Sequence, residues 1–230
     1  SHSVSVPDQT QYDWRTWIDE ALTEGKMQLY FQPVVECADT SQVLHHKVLA
    51  RLLDPHGTAI AAGQFLPWIE RFGWSARFDL IMLEATLDYL LINRWPLALS
   101  LSGSTLRDPA QLHKILDMLE SLPELAPLLT LEIDERQLPP PEQLQRLSHG
   151  LLNTGYRIGL QHFGGNFSQI SNLTQLGLAY LKIDGVYIRG IDEQQDKRLF
   201  IEAIFRATNS IDLPLIAEMV ESKGELEVIR

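Results

Sequence analysis

The sequence predicts an α/β fold: a single TIM-like (β/α) barrel. Three observations point there. Short apolar runs alternate with longer stretches of helical periodicity, no low-complexity linker divides the chain, and polar side chains recur where the apolar runs end. Repeated strand–helix units of this kind pack as a parallel sheet with helices outside it, and in barrels the chemistry collects at the strand ends. Residues 1–10, mostly polar, read as a flexible tail, and 11–230 as one domain.

Taken in order, "WRTWIDEALTEG" places Trp14, Trp17, Ile18, Ala21 and Leu22 at helical spacing and stops at Gly25. "MQLYFQPVV" and "QVLHHKVLARLL" follow as two strands, and "GQFLPWIERFG" as a short segment interrupted by Pro67. "SARFDLIMLEATLDYLLINR" is a long amphipathic helix with Phe78, Ile81, Met82 and Ala85 along one stripe. Five further strands are predicted at "LALSLS", "LLTLEID", "YRIGLQ", "AYLKID" and "LPLIAEM". Helices are predicted between them near "DPAQLHKILDMLESL", "PEQLQRLSHGLLNTG", "SQISNLTQLG" and "DEQQDKRLFIEAIFRATNS". Pro141 suits a first helical turn and Gly155 a helix end. These make seven strands. A closed eight-stranded barrel needs one more, so the C-terminal strand is expected to be truncated.

Composition narrows the partners. At 45% apolar and 21% charged residues the chain is an ordinary globular domain, with no apolar run long enough to span a membrane. A single cysteine, Cys37, excludes an internal disulfide and fits a reducing compartment. The net charge of −11 argues against DNA or RNA as a partner. A phosphate-bearing ligand must therefore be held by a local cluster of cations.

Such a cluster is suggested by "HHKVLARLLD". Lys47 and Arg51 lie four residues apart in an apolar strand and so share one face. The other strand ends bring Gln32, Ser100 and Ser102, Glu132 and Glu135, Gln161 and His162, Lys182 and Asp184, and Glu218 and Glu221. Singly each has an ordinary explanation as a solvated or capping residue; together they describe a polar ring of mixed sign. Zinc at His45, His46 and His162 is disfavoured, because adjacent strand residues face opposite ways and no cysteine joins them. "FGGNF" lacks the rest of a phosphate-binding loop and reads as a flexible connection, with Phe167 an aromatic positioned to signal ligand state.

From about Trp14 to Glu221 these motifs resemble the EAL domains, which bind and usually hydrolyse cyclic di-GMP. "YFQPVV" resembles the opening Tyr-x-Gln-Pro-Ile strand, and "KVLARL" stands in the place of the Glu-Ala-Leu-Leu-Arg-Trp signature. "LSLS", "LEIDE", "LQHFGGNFSQISNL", "LKID" and "AEMVE" follow in the family's order and spacing. In detail the chain is most similar to the EAL domain of LapD-type inner-membrane cyclic di-GMP receptors.

The resemblance implies a TIM-like barrel of the EAL type. It also implies that active members hold divalent metals on carboxylates and an Asn, to activate water and neutralise developing charge. At those positions this chain has Lys47, Ser100, Gln161 and His162, and only Glu132 keeps a carboxylate. The rim is thereby about four charge units more positive than in an active relative. No metal site, no cofactor and no catalytic residue are therefore expected, and hydrolysis should be absent. As implied contacts for cyclic di-GMP the resemblance gives Gln32, Lys47, Leu49, Arg51, Phe65, Pro67, Ser102, Glu132, Lys182, Asp184 and Glu218. Lys47 is expected to replace the metal charge, balanced by Glu132, with Arg51 reaching a phosphate. Phe65 and Pro67 would pack on a base, a core role for Phe65 being the alternative.

The expected function is thus a catalytically inactive cyclic di-GMP receptor that relays its state to partner domains in adhesion and biofilm control. The alternatives are an interaction scaffold without nucleotide binding and a residual phosphodiesterase. A GGDEF-like domain in the same parent chain, a homodimer, and a cytoplasmic location within a bacterial inner-membrane protein are further implied.

Overall fold

A computed structural model describes residues 9–165 and 176–230. Helix α1 (Gln9–Glu24) buries Ile18, Ala21 and Leu22 and ends at Gly25, whose φ of 67° only glycine adopts freely. It begins two residues inside the segment read as a tail.

Strand β1 (Met27–Val35) runs antiparallel to β2 (Val43–Leu53), and the short β3 (Ala59–Ala61) adds to the other side of β2. The sheet then continues in parallel through β4 (Leu97–Leu101), β5 (Leu129–Asp134), β6 (Arg157–Phe163), β7 (Tyr180–Ile183) and β8 (Leu215–Ala217). Seven strands lie where the sequence predicts them. The eighth in the sheet, β3, is an addition: three residues are too few to show an alternation.

Helix α2 (Ala62–Arg71) runs through Pro67 instead of breaking there, with Phe65 and Ile69 on its buried side. Helix α3 (Ser75–Ile92) buries Phe78, Met82, Leu83, Leu87 and Leu90. Next come α4 (Gly103–Arg107), α5 (Pro109–Glu120) and α6 (Pro141–Thr154). Asp108 caps α5 by accepting the N–H groups of Ala110 and Gln111, and Gly155 (φ 84°) closes α6. Helices α7 (Gly185–Ile188), α8 (Gln195–Asn209) and α9 (Lys223–Ile229) complete the described set, the last opened by a reciprocal Ser222–Glu225 capping box. The helix expected at "SQISNLTQLG" falls mainly outside the described residues, as does Phe167.

The period-two alternation of the strands sorts the two faces of the sheet. Leu97, Leu99, Leu101, Leu129, Leu131, Ile133, Ile158, Leu160, Leu181 and Ile183 are buried in the apolar core. The alternate positions carry Ser100, Glu132, Gln161 and Lys182, and these meet one another inside the sheet's curve. An apolar layer outside and a polar lining inside thus come from one pattern.

A buried carboxylate ties the helical layer to the rim. Asp79 of α3 accepts the Ser102 N–H at 2.8 Å, the Ser102 hydroxyl at 3.2 Å and the Thr105 hydroxyl at 2.6 Å. Burial outweighs these bonds and pushes its pKa up to about 6. A raised carboxylate pKa means the folded state binds the proton more tightly, so this residue's contribution falls as pH rises from about 4 to about 6. Asp79→Asn is expected to remove that part of the stability slope, measured by urea unfolding at intervals from pH 4 to 7; an unchanged slope would contradict the assignment.

Candidate functional site

The site is organised around Glu132, on β5, which is fully buried. Register explains why charged groups converge there. Ser100 of β4 pairs with Glu132, Glu132 with Gly159 of β6, and Gly159 with Tyr180 of β7. Lys47 of β2 enters from the neighbouring strand, opposite Ala98.

The Lys47 ammonium donates to Glu132 Oε1, to the Ser100 hydroxyl, and to Gln161 Oε1 at 3.0 Å. Ser100 Oγ also donates to Gln161 Oε1 at 3.1 Å. The second carboxylate oxygen, Oε2, lies 2.5 Å from Lys182 Nζ and accepts the Tyr180 hydroxyl. One buried carboxylate therefore serves two ammonium groups and a phenol. Burial alone would raise its pKa, but Lys47 and Lys182 together overcome that and hold it at about 2. Burial also draws Lys47 below the ordinary lysine range, against the pull of Glu132. With Glu132 so acidic, its carboxylate is ionised at neutral pH between the two lysine side chains, and Glu218 stands close enough to act on both.

Around it, Tyr180 is held well above the ordinary phenol range by burial and by the Glu132 carboxylate. His45 stacks on Tyr180 (ring centroids 5.2 Å apart, planes 9° from parallel), and burial lowers its pKa to about 4, so it is neutral. Its neighbour His46 lies against Trp95 instead, which puts the two histidines on opposite faces.

At the opening, His162 adopts φ 56° and places Nδ1 3.5 Å from Asp184 Oδ2 and 3.6 Å from Glu218 Oε2. Burial, then the Glu132 charge, raises the Glu218 pKa, with His162 and the two lysines opposing. Asp184 also caps α7 through the Val186 N–H at 2.9 Å. Gln32 is exposed and directly across from Lys47 in the β1–β2 register. Arg51 is exposed on the same face of β2, as is Leu49 between them. The Arg51 Cζ lies 4.0 Å from the Tyr30 ring centre.

Two proposed contacts are placed differently. Phe65 has no exposed surface and packs edge-on against Phe78, 5.6 Å between ring centres. It is a core residue and not a base-stacking one, because α2 turns positions 65 and 69 inward together. Pro67, two residues on, is exposed. The Ser102 hydroxyl is engaged by Asp79 beneath the rim. Glu135, counted in the ring, is buried.

Tyr180 and Gly159 complete the cluster without having been singled out from the sequence, and His45, weighed there only for zinc, stacks on Tyr180. An aromatic in an apolar strand reads as core, and only the Gly159–Tyr180 register reveals the fit. A methyl at Gly159 would lie 2.7 Å from Tyr180 Cζ and closer still to Cε2. Gly159→Ala is expected to displace the Tyr180 hydroxyl from Glu132 and to cost about 1–3 kcal/mol in unfolding free energy. Chemical denaturation of the variant checks this, and a loss below about 0.5 kcal/mol would show that the ring has room to move.

The side chains at the metal-ligand positions do not fit a divalent cation. An ammonium group occupies their midst and donates hydrogen bonds to Glu132, Ser100 and Gln161, leaving a single carboxylate among those positions. Among the described residues no three His, Cys, Asp or Glu side chains are arranged to hold an ion.

Comparison with known proteins decides the family, since the model of the EAL domain matches residues 15–230. The chain belongs to the EAL domain family. This EAL domain is 24% identical over 216 residues to the probable cyclic di-GMP phosphodiesterase PdeG of Escherichia coli, covering 91% of the chain and 42% of that protein. It is 23% identical over 216 residues to the cyclic di-GMP phosphodiesterase PdeB of Shewanella oneidensis, covering 91% of the chain and 25% of that protein. The chain thus spans less than half the length of these relatives. Among solved structures, the Vibrio cholerae LapD S helix-GGDEF-EAL protein bound to c-di-GMP matches with TM-score 0.85 at 21% identity, over 95% of this chain and 54% of that one. The FimX EAL domain of Pseudomonas aeruginosa bound to c-di-GMP matches with TM-score 0.79 at 23% identity, over 94% and 89%. The EAL domain therefore shares the TIM-like α/β architecture of these neighbours.

Proposed function

We propose that this EAL domain is a cyclic di-GMP receptor that neither hydrolyses its ligand nor needs a divalent metal to bind it. The observation that carries this reading is the pairing of two ammonium groups with one buried carboxylate. The two ammonium groups lie in a desolvated setting, where attraction to a phosphodiester is far stronger than at an open surface. Lys47 supplies, on a covalent tether, charge that active relatives are expected to take from metal. Arg51, with no carboxylate at ion-pair distance among the described residues, offers a planar fork of donors to phosphate oxygens. Gln32, Leu49, Lys182, Asp184 and Glu218 complete the proposed contact set. Hydrolysis would need an activated water beside a neutralised leaving group, and a donor set centred on an ammonium provides neither.

At the level of the parent protein we infer a LapD-like arrangement: a GGDEF-like domain in the same chain, an inner-membrane anchor, and relay of the bound state to control adhesion. Cyclic di-GMP-bound LapD among the structural neighbours supports this. No helix among the described residues is long and apolar enough to cross a membrane.

The phosphodiesterase reading is kept as second because matched relatives bear that name. Calorimetric titration of cyclic di-GMP, once with Mg²⁺ and once with excess EDTA, separates the two. Equal specific binding in both, with no linear dinucleotide formed on long incubation with Mn²⁺, is the expected result. Binding only with Mg²⁺, or product formation, would overturn the receptor reading.

A further inference from the structure

We propose that Tyr30 is a positioning residue that holds the Arg51 guanidinium flat against its ring, ready for a phosphate; this rests on the receptor reading above. In the β1–β2 register, Arg51 stands opposite Gln28, Leu49 opposite Tyr30, and Lys47 opposite Gln32. All six side chains therefore project to one face of the two-stranded ribbon. On that face the Arg51 Cζ lies 4.0 Å from the Tyr30 ring centre, within cation–π range. The ring is fixed in turn, since the Tyr30 hydroxyl donates to Gln28 Oε1 at 3.0 Å.

An exposed arginine ordinarily gives up much rotamer freedom when it captures a ligand. A guanidinium held over the ring has given up part of that freedom before the ligand arrives. Lys47, fixed by its own three partners, and Arg51, fixed by Tyr30, then form a spaced pair of cations on one strand.

The test uses the full chain and four variants: Tyr30→Leu, Tyr30→Phe, Arg51→Ala and the Tyr30→Leu/Arg51→Ala double. Tyr30→Leu removes the ring and is expected to weaken cyclic di-GMP binding about three- to tenfold. Tyr30→Phe keeps the ring and is expected to restore affinity to within about twofold. In the Arg51→Ala background, Tyr30→Leu should bring no further loss. The Arg51 Nε–H resonance of the ligand-free protein is expected to carry a ring-current shift that survives in Tyr30→Phe and disappears in Tyr30→Leu. A Tyr30→Leu penalty that persists without Arg51, or an Arg51 resonance indifferent to the ring, overturns the positioning role while the receptor reading stands. No binding by the unaltered chain overturns the receptor reading and, with it, the purpose assigned to the stack, even where the resonance reports that the stack exists.

Discussion

Glu132→Gln lowers the unfolding free energy by about 3–5 kcal/mol at pH 7, the expected cost of leaving buried charges without their counter-ion. The side chain keeps its size, so packing is not the cause. In the native cluster the carboxylate faces Lys47, Lys182 and Tyr180 together; the amide leaves two ammonium groups without an opposing charge. The pH dependence distinguishes this from a generic defect. Glu132 is held at about 2 against an ordinary value of 4.5. Its stabilisation is complete above about pH 4.5 and is lost as pH falls toward 2, so the variant should lack that acid limb. Lys47 is depressed instead: its charging costs stability below its folded pKa, and the cost is relieved as pH rises toward 10.5. The variant's deficit should accordingly shrink in alkali. Urea unfolding between pH 3 and 10 provides both limbs, and a deficit independent of pH would refute the ionic account.

Lys47→Glu weakens cyclic di-GMP binding in EDTA by about a thousandfold. The substitution turns two ammonium groups around one carboxylate into one ammonium between two. At a separation of roughly 8 Å and an effective dielectric near 20, each unit of charge is worth about 2 kcal/mol toward a phosphate, and the exchange changes two units. Lys47→Met removes one unit with a similar stem and should cost about thirtyfold. Calorimetry on both variants, with circular dichroism to establish folding, measures the ratio. Affinity that is equal in Lys47→Met and the unaltered chain would remove Lys47 from the binding account.

The fold was legible because its signals are periodic and punctuated. Alternation marks the strands, Pro141 opens α6, and Gly25 and Gly155 close α1 and α6. β3 was not, since Ala59–Ala61 is one short apolar step after a turn. The Lys47–Glu132 pair could be anticipated, because an ammonium in an apolar strand demands a counter-ion. Its other partners could not, since which acceptors surround Nζ depends on the register of three strands. For Phe65 the sequence left a base-packing and a core role open, and burial selects the core one: an aromatic near a presumed ligand loop is still core if its helix turns it inward. Tyr30 and Tyr180 fall between, ordinary strand aromatics whose meaning appears only from the residue opposite.

The partners of Lys47 lie 53, 85 and 114 residues away along the chain, at Ser100, Glu132 and Gln161. No local segment can assemble this cluster; it exists only once β2, β4, β5 and β6 have come into register. Contacts at such sequence separations carry a loop-closure cost that slows folding. Until then the ammonium remains hydrated. A chain whose strands have not come into register therefore lacks the spaced, desolvated pairing of Lys47 with Glu132 on which the proposed phosphate contact depends.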